Sequence, residues 1–85
     1  MKILITGGGG SLGQYLNIQL SKQHNIFTIY NSNAGNCREF NSGKVNILIY
    51  DELKSVFETQ RPDVVIHTAA ITSTIPNKNI SSKLF

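Results

Sequence analysis

The chain has 85 residues, 40% of them hydrophobic and 15% charged, a balance found in packed globular domains rather than in disordered or coiled-coil chains. Its formal charge of +3 comes from Lys2, Lys22, Arg38, Lys44, Lys54, Arg61, Lys78 and Lys83, too scattered to line a phosphate backbone, so no nucleic-acid partner is expected. A single cysteine, Cys37, excludes an intramolecular disulfide and points to no metal site, and no apolar run approaches the roughly 18 residues of a membrane span, so a cytoplasmic, membrane-free location is expected.

Lys2 to Thr6 is a short β-rich run closed at once by Gly7 to Gly10, the form taken by a strand buried on both faces. The apolar start lacks the longer apolar segment and cleavage site of a signal peptide, so no secretion is expected. From Ser11 the apolar residues Leu12, Leu16 and Leu20, with Tyr15 and Ile18 beside them, predict a helix with that stripe turned inward, ending near His24-Asn25. Ile26 to Tyr30 is a second strand, and Asn31 to Gly43 is polar and turn-forming enough to be a long surface loop. Val45 to Ile49 predicts the third strand. Asp51 then caps a helix carrying Leu53, Val56 and Phe57 at i, i+3 and i+4, and Arg61-Pro62 stops it. Val64 to Ile66 predicts strand four, and Thr72 to Phe85 has no clear period.

Strands alternating with helices imply parallel pairing through right-handed crossovers, a doubly wound α/β sheet. One partial domain over residues 1–85, truncated at its carboxyl end, with an irregular tail over about 75–85, is the simplest organisation. At this length only about 60–65% of the unfolded chain's surface can be buried, so stability should be marginal.

Gly7, Gly10 and Gly13 form a Gly-x-x-Gly-x-x-Gly motif between a strand and a helix. That context lifts it above a simple glycine-rich turn and makes the fold Rossmann-like. The first glycine permits the tight turn, the second lets a pyrophosphate approach the backbone, and the third brings helix and strand together. Free N–H groups and the helix dipole then face the phosphates. A P-loop is excluded, since no Gly-Lys-Ser/Thr follows. A dinucleotide is the expected ligand. An NAD site carries an acidic residue near the end of strand two, where this chain has Tyr30-Asn31-Ser32-Asn33. With Asn31, Ser32 and Arg38 able to donate to a 2'-phosphate, NADP(H) is favoured over NAD(H), which the same turn also accommodates.

The run Met-Lys-Ile-Leu-Ile-Thr-Gly-Gly-Gly-Gly-Ser-Leu-Gly, then Tyr-Asp-Glu-Leu-Lys-Ser-Val-Phe-Glu, then Arg-Pro-Asp-Val-Val-Ile-His-Thr-Ala-Ala, resembles the dTDP-4-dehydrorhamnose reductases, extended short-chain dehydrogenase/reductases acting on nucleotide sugars. The likeness covers residues 1 to about 74. It implies a pyrophosphate turn at Gly7, Gly10 and Gly13, backbone contacts from Ser11 and Leu12, and a cofactor lining from Ala69 and Ala70. Where the family has Asp-Ile after strand three, its carboxylate reaching the adenine edge, this chain has Asn46-Ile47. The family's catalytic Tyr-x-x-x-Lys pair and sugar-binding lobe are expected beyond position 85, so no catalytic residue is assigned among these 85, and a nucleotide sugar is expected to bind only with a second half.

Tyr50 and Lys54 have the catalytic spacing but match the family's ordinary crossover helix. His67 is read as a buried histidine satisfied by hydrogen bonds. The resemblance extends to the regulatory subunit of methionine adenosyltransferase, a non-catalytic binding protein of the same fold, so a nucleotide-binding or regulatory module stands as the alternative to the cofactor-binding part of a reductase. The reductase reading further predicts an unpaired edge on strand four, through which copies could associate.

Overall fold

The computed structural model describes residues 1–68. The order is β1 (Lys2–Thr6), α1 (Ser11–Ser21), β2 (Asn25–Tyr30), a 3-10 turn (Cys37–Glu39), β3 (Ser42–Lys44), α2 (Tyr50–Gln60) and β4 (Val64–His67). The strands form one sheet in the order β3-β2-β1-β4, every pair parallel. This is the doubly wound α/β arrangement. Successive side chains of β1 point to opposite faces. Ile3 and Ile5 join Ile26 beneath Leu16 and Leu20 of α1, while Leu4 joins Ile29, Val45 and Val56 on the α2 side. The two helices therefore cover opposite faces, and β1 is buried from Ile3 to Thr6.

Three expectations need correction. The third strand is Ser42–Lys44 rather than Val45 to Ile49. Its ladder with β2 runs out where β2 ends, the last pair being Tyr30 with Lys44, and Val45 N donates to Tyr30 O at 2.8 Å. Asn46 then breaks the extended chain, because its Oδ1 accepts the Leu48 N–H at 3.0 Å and its carbonyl accepts the Ile49 N–H at 2.9 Å. That local turn chemistry outcompetes the β-propensity of the apolar run. Ile47 packs half-buried into the α2-side core, and Leu48 is left 87% exposed.

As part of that first correction, the stretch from Asn31 to Gly43 is not a plain surface loop, since it contains the 3-10 turn, a fully buried Cys37 and the start of β3.

The second correction concerns α1, which ends at Ser21 and turns a different face inward. Gly13 and Asn17 are its buried residues, with Leu16 and Leu20 half-buried, while Leu12, Tyr15 and Ile18 are exposed. Gly13 decides this rotation. A Cβ there would strike the carbonyl oxygen of Gly7 and lie 2.7 Å from Gly8 Cα, so the glycine exists to bring helix and turn into backbone contact. The column one helical repeat along, at Asn17, must then point the same way.

The third correction is the start of α2. The helix begins at Tyr50 with Ile49 as its N-cap, and Asp51 lies in the first turn, where its charge favours the positive end of the dipole. Ile49 has the extended backbone of a cap (φ −100°, ψ 106°) but no side-chain acceptor. Ile49→Asp is expected to stabilise the chain by about 0.5–1 kcal/mol, read as a higher midpoint in urea denaturation; an unchanged midpoint would overturn the assignment of an uncapped start to α2. Arg61 ends α2 in the left-handed conformation (φ 46°), with Pro62 directly after it, as expected. The expected tail over 75–85 lies outside the described residues.

Candidate dinucleotide-binding site

The site grows from the carboxyl end of β1. The chain leaves β1 for β2 on one side and returns through α2 to β4 on the other, so the crevice at the ends of β1 and β4 is the switch point where doubly wound sheets bind ligands. Gly7 stands there with φ 69°, a conformation only glycine adopts freely. The Thr68 hydroxyl donates to the carbonyls of Thr6 and Gly7, and Thr6 Oγ1 bonds His67 Nδ1. His67, the last residue of β4, and Thr68 directly after it therefore staple the end of β1 and the first residue of the turn. His67 is half-buried rather than buried as expected from the sequence, and its Nδ1 is the ring nitrogen that is hydrogen-bonded among the described residues.

Beyond Gly7 the backbone closes on itself, Gly10 N donating to Gly7 O at 3.1 Å and Gln14 N to Gly10 O at 2.9 Å. Gly10 is the N-cap of α1 and supplies no side-chain cap, and the first turn holds no acidic residue. Gly10 is also exposed, and a Cβ there would meet only Gly7 O, at 3.5 Å. The amino end of α1, with Ser11, Leu12 and Gly13 as its first three residues, is thus an open, uncapped helix terminus suited to a phosphate. Leu12 contributes backbone only in this reading, since its side chain faces solvent.

The opposite side of the turn is closed. A Cβ on Gly9 would strike the Asn33 carbonyl, and one on Gly8 would strike Thr28 Oγ1 and lie 2.8 Å from Cys37 Sγ. The segment Asn33 to Cys37 therefore lies flush on the glycine turn. It is tied there by Gln14 Nε2 donating to Gly9 O at 2.9 Å, Asn36 Nδ2 to Gln14 O at 3.1 Å, and Asn17 Nδ2 to Gly8 O at 3.2 Å and Asn36 Oδ1 at 2.9 Å. Cys37 Sγ lies 3.6 Å from Thr28 Oγ1. None of Gln14, Asn17 or Asn36 was singled out from the sequence, and Cys37 stood out there only as the lone cysteine. The available signal was a polar Asn17 four residues after Gly13, on the one helix face that must be buried.

At the end of β2, Asn31 and Ser32 are exposed and Arg38 Nε donates to Tyr30 Oη at 3.5 Å. The hydrogen bond and charge interaction with Tyr30 raise the already high pKa of Arg38, and no carboxylate contributes to that shift. Asn46 sits in the turn after β3 with its oxygen accepting from Leu48 and its backbone N–H donating to Glu52 Oε1 at 3.0 Å. What it retains for a base edge is an NH₂ donor and one oxygen lone pair. Ala69 and Ala70 lie outside the described residues.

A shallow groove of about 370 Å³ between β3 and α2 is lined by Lys44, Val45, Asp51, Glu52, Ser55 and Val56, on the sheet face away from α1, and its carboxylates make it a poor phosphate site. Among the described residues no three acidic, histidine or cysteine side chains converge on a metal position. No helix among them is long and apolar enough to cross a membrane.

A parallel β3-β2-β1-β4 sheet with a glycine turn and an open helix terminus at its switch point defines a Rossmann-like α/β fold. The chain belongs to the NAD dependent epimerase/dehydratase family, whose family model matches residues 3–85. It is 39% identical to dTDP-D-glucose 4,6-dehydratase of Dictyostelium discoideum over 84% of this chain and 19% of that protein. With GDP-6-deoxy-D-talose 4-dehydrogenase of Aggregatibacter actinomycetemcomitans it shares 32% identity over 93% of this chain and 24% of the relative.

The expected resemblance to dTDP-4-dehydrorhamnose reductases is met by a solved structure described as a hypothetical member from Sulfolobus tokodaii, 34% identical with a TM-score of 0.73 over 86% of this chain and 25% of that one. UDP-glucose 4-epimerase of Thermotoga maritima superposes equally well, TM-score 0.73 at 25% identity, over 85% of this chain and 25% of its own. The chain thus spans about a fifth to a quarter of the length of these relatives.

Proposed function

We propose that these residues are the NADP(H)-binding part of a dTDP-4-dehydrorhamnose reductase-like oxidoreductase of dTDP-rhamnose biosynthesis, located in the cytoplasm and inactive by themselves. The observation that carries this reading is the open amino end of α1 at the switch point with no carboxylate among the residues that end β2. An acidic residue there would bond a ribose 2'-hydroxyl and repel a 2'-phosphate. Exposed Asn31 and Ser32, and Arg38 held nearby by Tyr30, supply donors instead. Asn46 offers the adenine a weaker partner than a carboxylate would.

Catalysis is not assigned to Tyr50 and Lys54, the one Tyr-x-x-x-Lys spacing in the sequence. Both are exposed on α2, on the sheet face opposite α1. This also favours a second reading, a nucleotide-binding or regulatory module that holds an adenine nucleotide without chemistry. Copies are proposed to associate through β4, whose Val64 and Val65 are 38% and 42% exposed and which pairs only with β1 among the described residues.

The test is a thermal melt of the purified chain with millimolar NADPH or NADH, since binding to the folded state alone raises the midpoint. NADPH is expected to raise it more than NADH, each tenfold in affinity being worth about 1.4 kcal/mol. Equal shifts would overturn the NADP preference, and a cooperative melt moved by neither would overturn dinucleotide binding. Turnover of NADPH with a dTDP-4-keto sugar by this chain alone would overturn its proposed inactivity.

A further inference from the structure

We infer that Tyr30 is a positioning residue for 2'-phosphate recognition, its phenol holding Arg38 by Nε so that both terminal guanidinium nitrogens are presented at the end of β2. The inference rests on the NADP(H) reading above and adds the residue that makes Arg38 effective.

Tyr30 is the last residue of β2 and its backbone is locked, paired with Lys44 of β3 and accepting the Val45 N–H at 2.8 Å. Arg38 stands on a backbone that is equally constrained. Its neighbour Cys37 is fully buried under the glycine turn, Asn36 is bonded to both Gln14 and Asn17 of α1, and the Cys37 N–H and the Glu39 N–H close the 3-10 turn on Ala34 O and Asn36 O at 2.8 and 3.0 Å. The contact of Arg38 Nε with Tyr30 Oη therefore joins two side chains whose bases cannot drift.

A free arginine loses much rotamer freedom when it clamps a phosphate. An arginine already tethered loses less, which is how pre-organisation raises affinity. The choice of nitrogen matters as well. A guanidinium has five N–H donors, one of them on Nε. Bonding the phenol through Nε leaves four donors on the two terminal nitrogens, enough for a two-pronged bond to phosphate oxygens. Asn31 and Ser32, exposed immediately after Tyr30, follow at the strand end where the ribose of a dinucleotide lies.

The test uses adenosine 2',5'-bisphosphate and ADP, which share adenosine and a 5'-phosphate and differ in the 2'-phosphate, titrated calorimetrically into the full chain and into Tyr30→Phe, Arg38→Ala and Arg38→Lys variants. All changed positions are partly or fully exposed, and far-ultraviolet circular dichroism checks that each variant keeps its fold. Tyr30→Phe is expected to weaken adenosine 2',5'-bisphosphate about three- to tenfold, the scale of one hydrogen bond, and to leave ADP unchanged. Arg38→Ala should abolish the preference for the 2'-phosphate, and Arg38→Lys should retain a part of it that Tyr30→Phe no longer reduces.

If Arg38→Ala abolishes the preference but Tyr30→Phe leaves it at the parent value, the positioning role is wrong and the NADP(H) reading stands. If the parent chain binds both ligands equally, or neither, the NADP(H) reading fails and takes the inference with it. Equal weakening of both ligands by Tyr30→Phe would show a merely structural tyrosine and overturn the inference too.

Discussion

Gly13→Ala is expected to lower the melting midpoint by roughly 12–24 °C or to abolish the cooperative transition. The added methyl would occupy the space of the Gly7 carbonyl oxygen and approach Gly8 Cα to 2.7 Å. Neither neighbour is a side chain that could rotate away. Gly7 is held by the Thr68 hydroxyl and by Gly10 N at 3.1 Å, and Gly8 N donates to Ile29 O at 2.9 Å. Relief would require α1 to move off the sheet and open the Ile3, Ile5 and Ile26 core that Leu16 and Leu20 cover.

Overpacking of this kind costs about 3 kcal/mol or more when backbone must shift, against a total of only about 4–13 kcal/mol for a chain of this length. Each kilocalorie moves the midpoint of a small domain by about 4–8 °C. A cooperative Gly13→Ala melt within 3 °C of the parent would show that helix and turn are not in backbone contact. Gly10→Ala is the control, because a methyl there makes only an ordinary van der Waals contact with Gly7 O at 3.5 Å; it should keep the fold and weaken phosphate binding.

Asn17→Asp is the second large effect, expected to cost about 3–5 kcal/mol, the scale of an uncompensated buried charge. Asn17 is completely buried. Its NH₂ donates to two oxygens, Gly8 O and Asn36 Oδ1, and lies 3.7 Å from Cys37 Sγ. A carboxylate in its place would set oxygen against oxygen on both contacts. Asn17 Oδ1 has no hydrogen-bond partner among the described residues, so none of them holds a donor ready to receive the charge. The loss should depend on pH with a definite sign. Burial and facing oxygens raise the folded-state pKa of the introduced carboxyl above its ordinary value of about 3.9. The folded state then binds more protons than the unfolded one, so the variant loses stability as pH rises from about 4 through the raised pKa and recovers it on acidification. Denaturation midpoints of parent and variant between pH 4 and 8 measure this, and a gap that does not widen with pH would overturn the assignment of a dry, donor-poor pocket at Asn17.

Much of the architecture was legible without coordinates, for reasons visible in single segments. Lys2 to Thr6 was readable as a strand because a β-branched run met glycine at once, and the observed strand has those bounds. The stop at Arg61-Pro62 was readable because proline cannot continue a helix. The placement of Gly7, Gly10 and Gly13 between strand and helix carried the Rossmann-like fold, and that run together with the Tyr50 to Glu58 and Arg61 to Ala70 runs carried the family resemblance before any contact was known. By contrast Ser42-Gly43-Lys44 has no β-propensity. It is a strand because its backbone completes the ladder of Thr28 to Tyr30, a pairing made across intervening sequence that no local pattern encodes.

The sequence by itself determined the alternation of strands and helices, the glycine turn and the chemistry that turn can perform, because each depends on conformational preferences of residues adjacent in the chain. The tertiary structure alone decided which face of α1 is buried, where β3 lies, and that Asn33 to Cys37 folds back onto the turn and sets Arg38 against Tyr30. Those outcomes depend on which backbones come into contact. Gly13 permits the closest of these contacts, and once it is made, Asn17 is carried inward and Leu12 and Tyr15 outward, against the order that hydrophobicity alone would give.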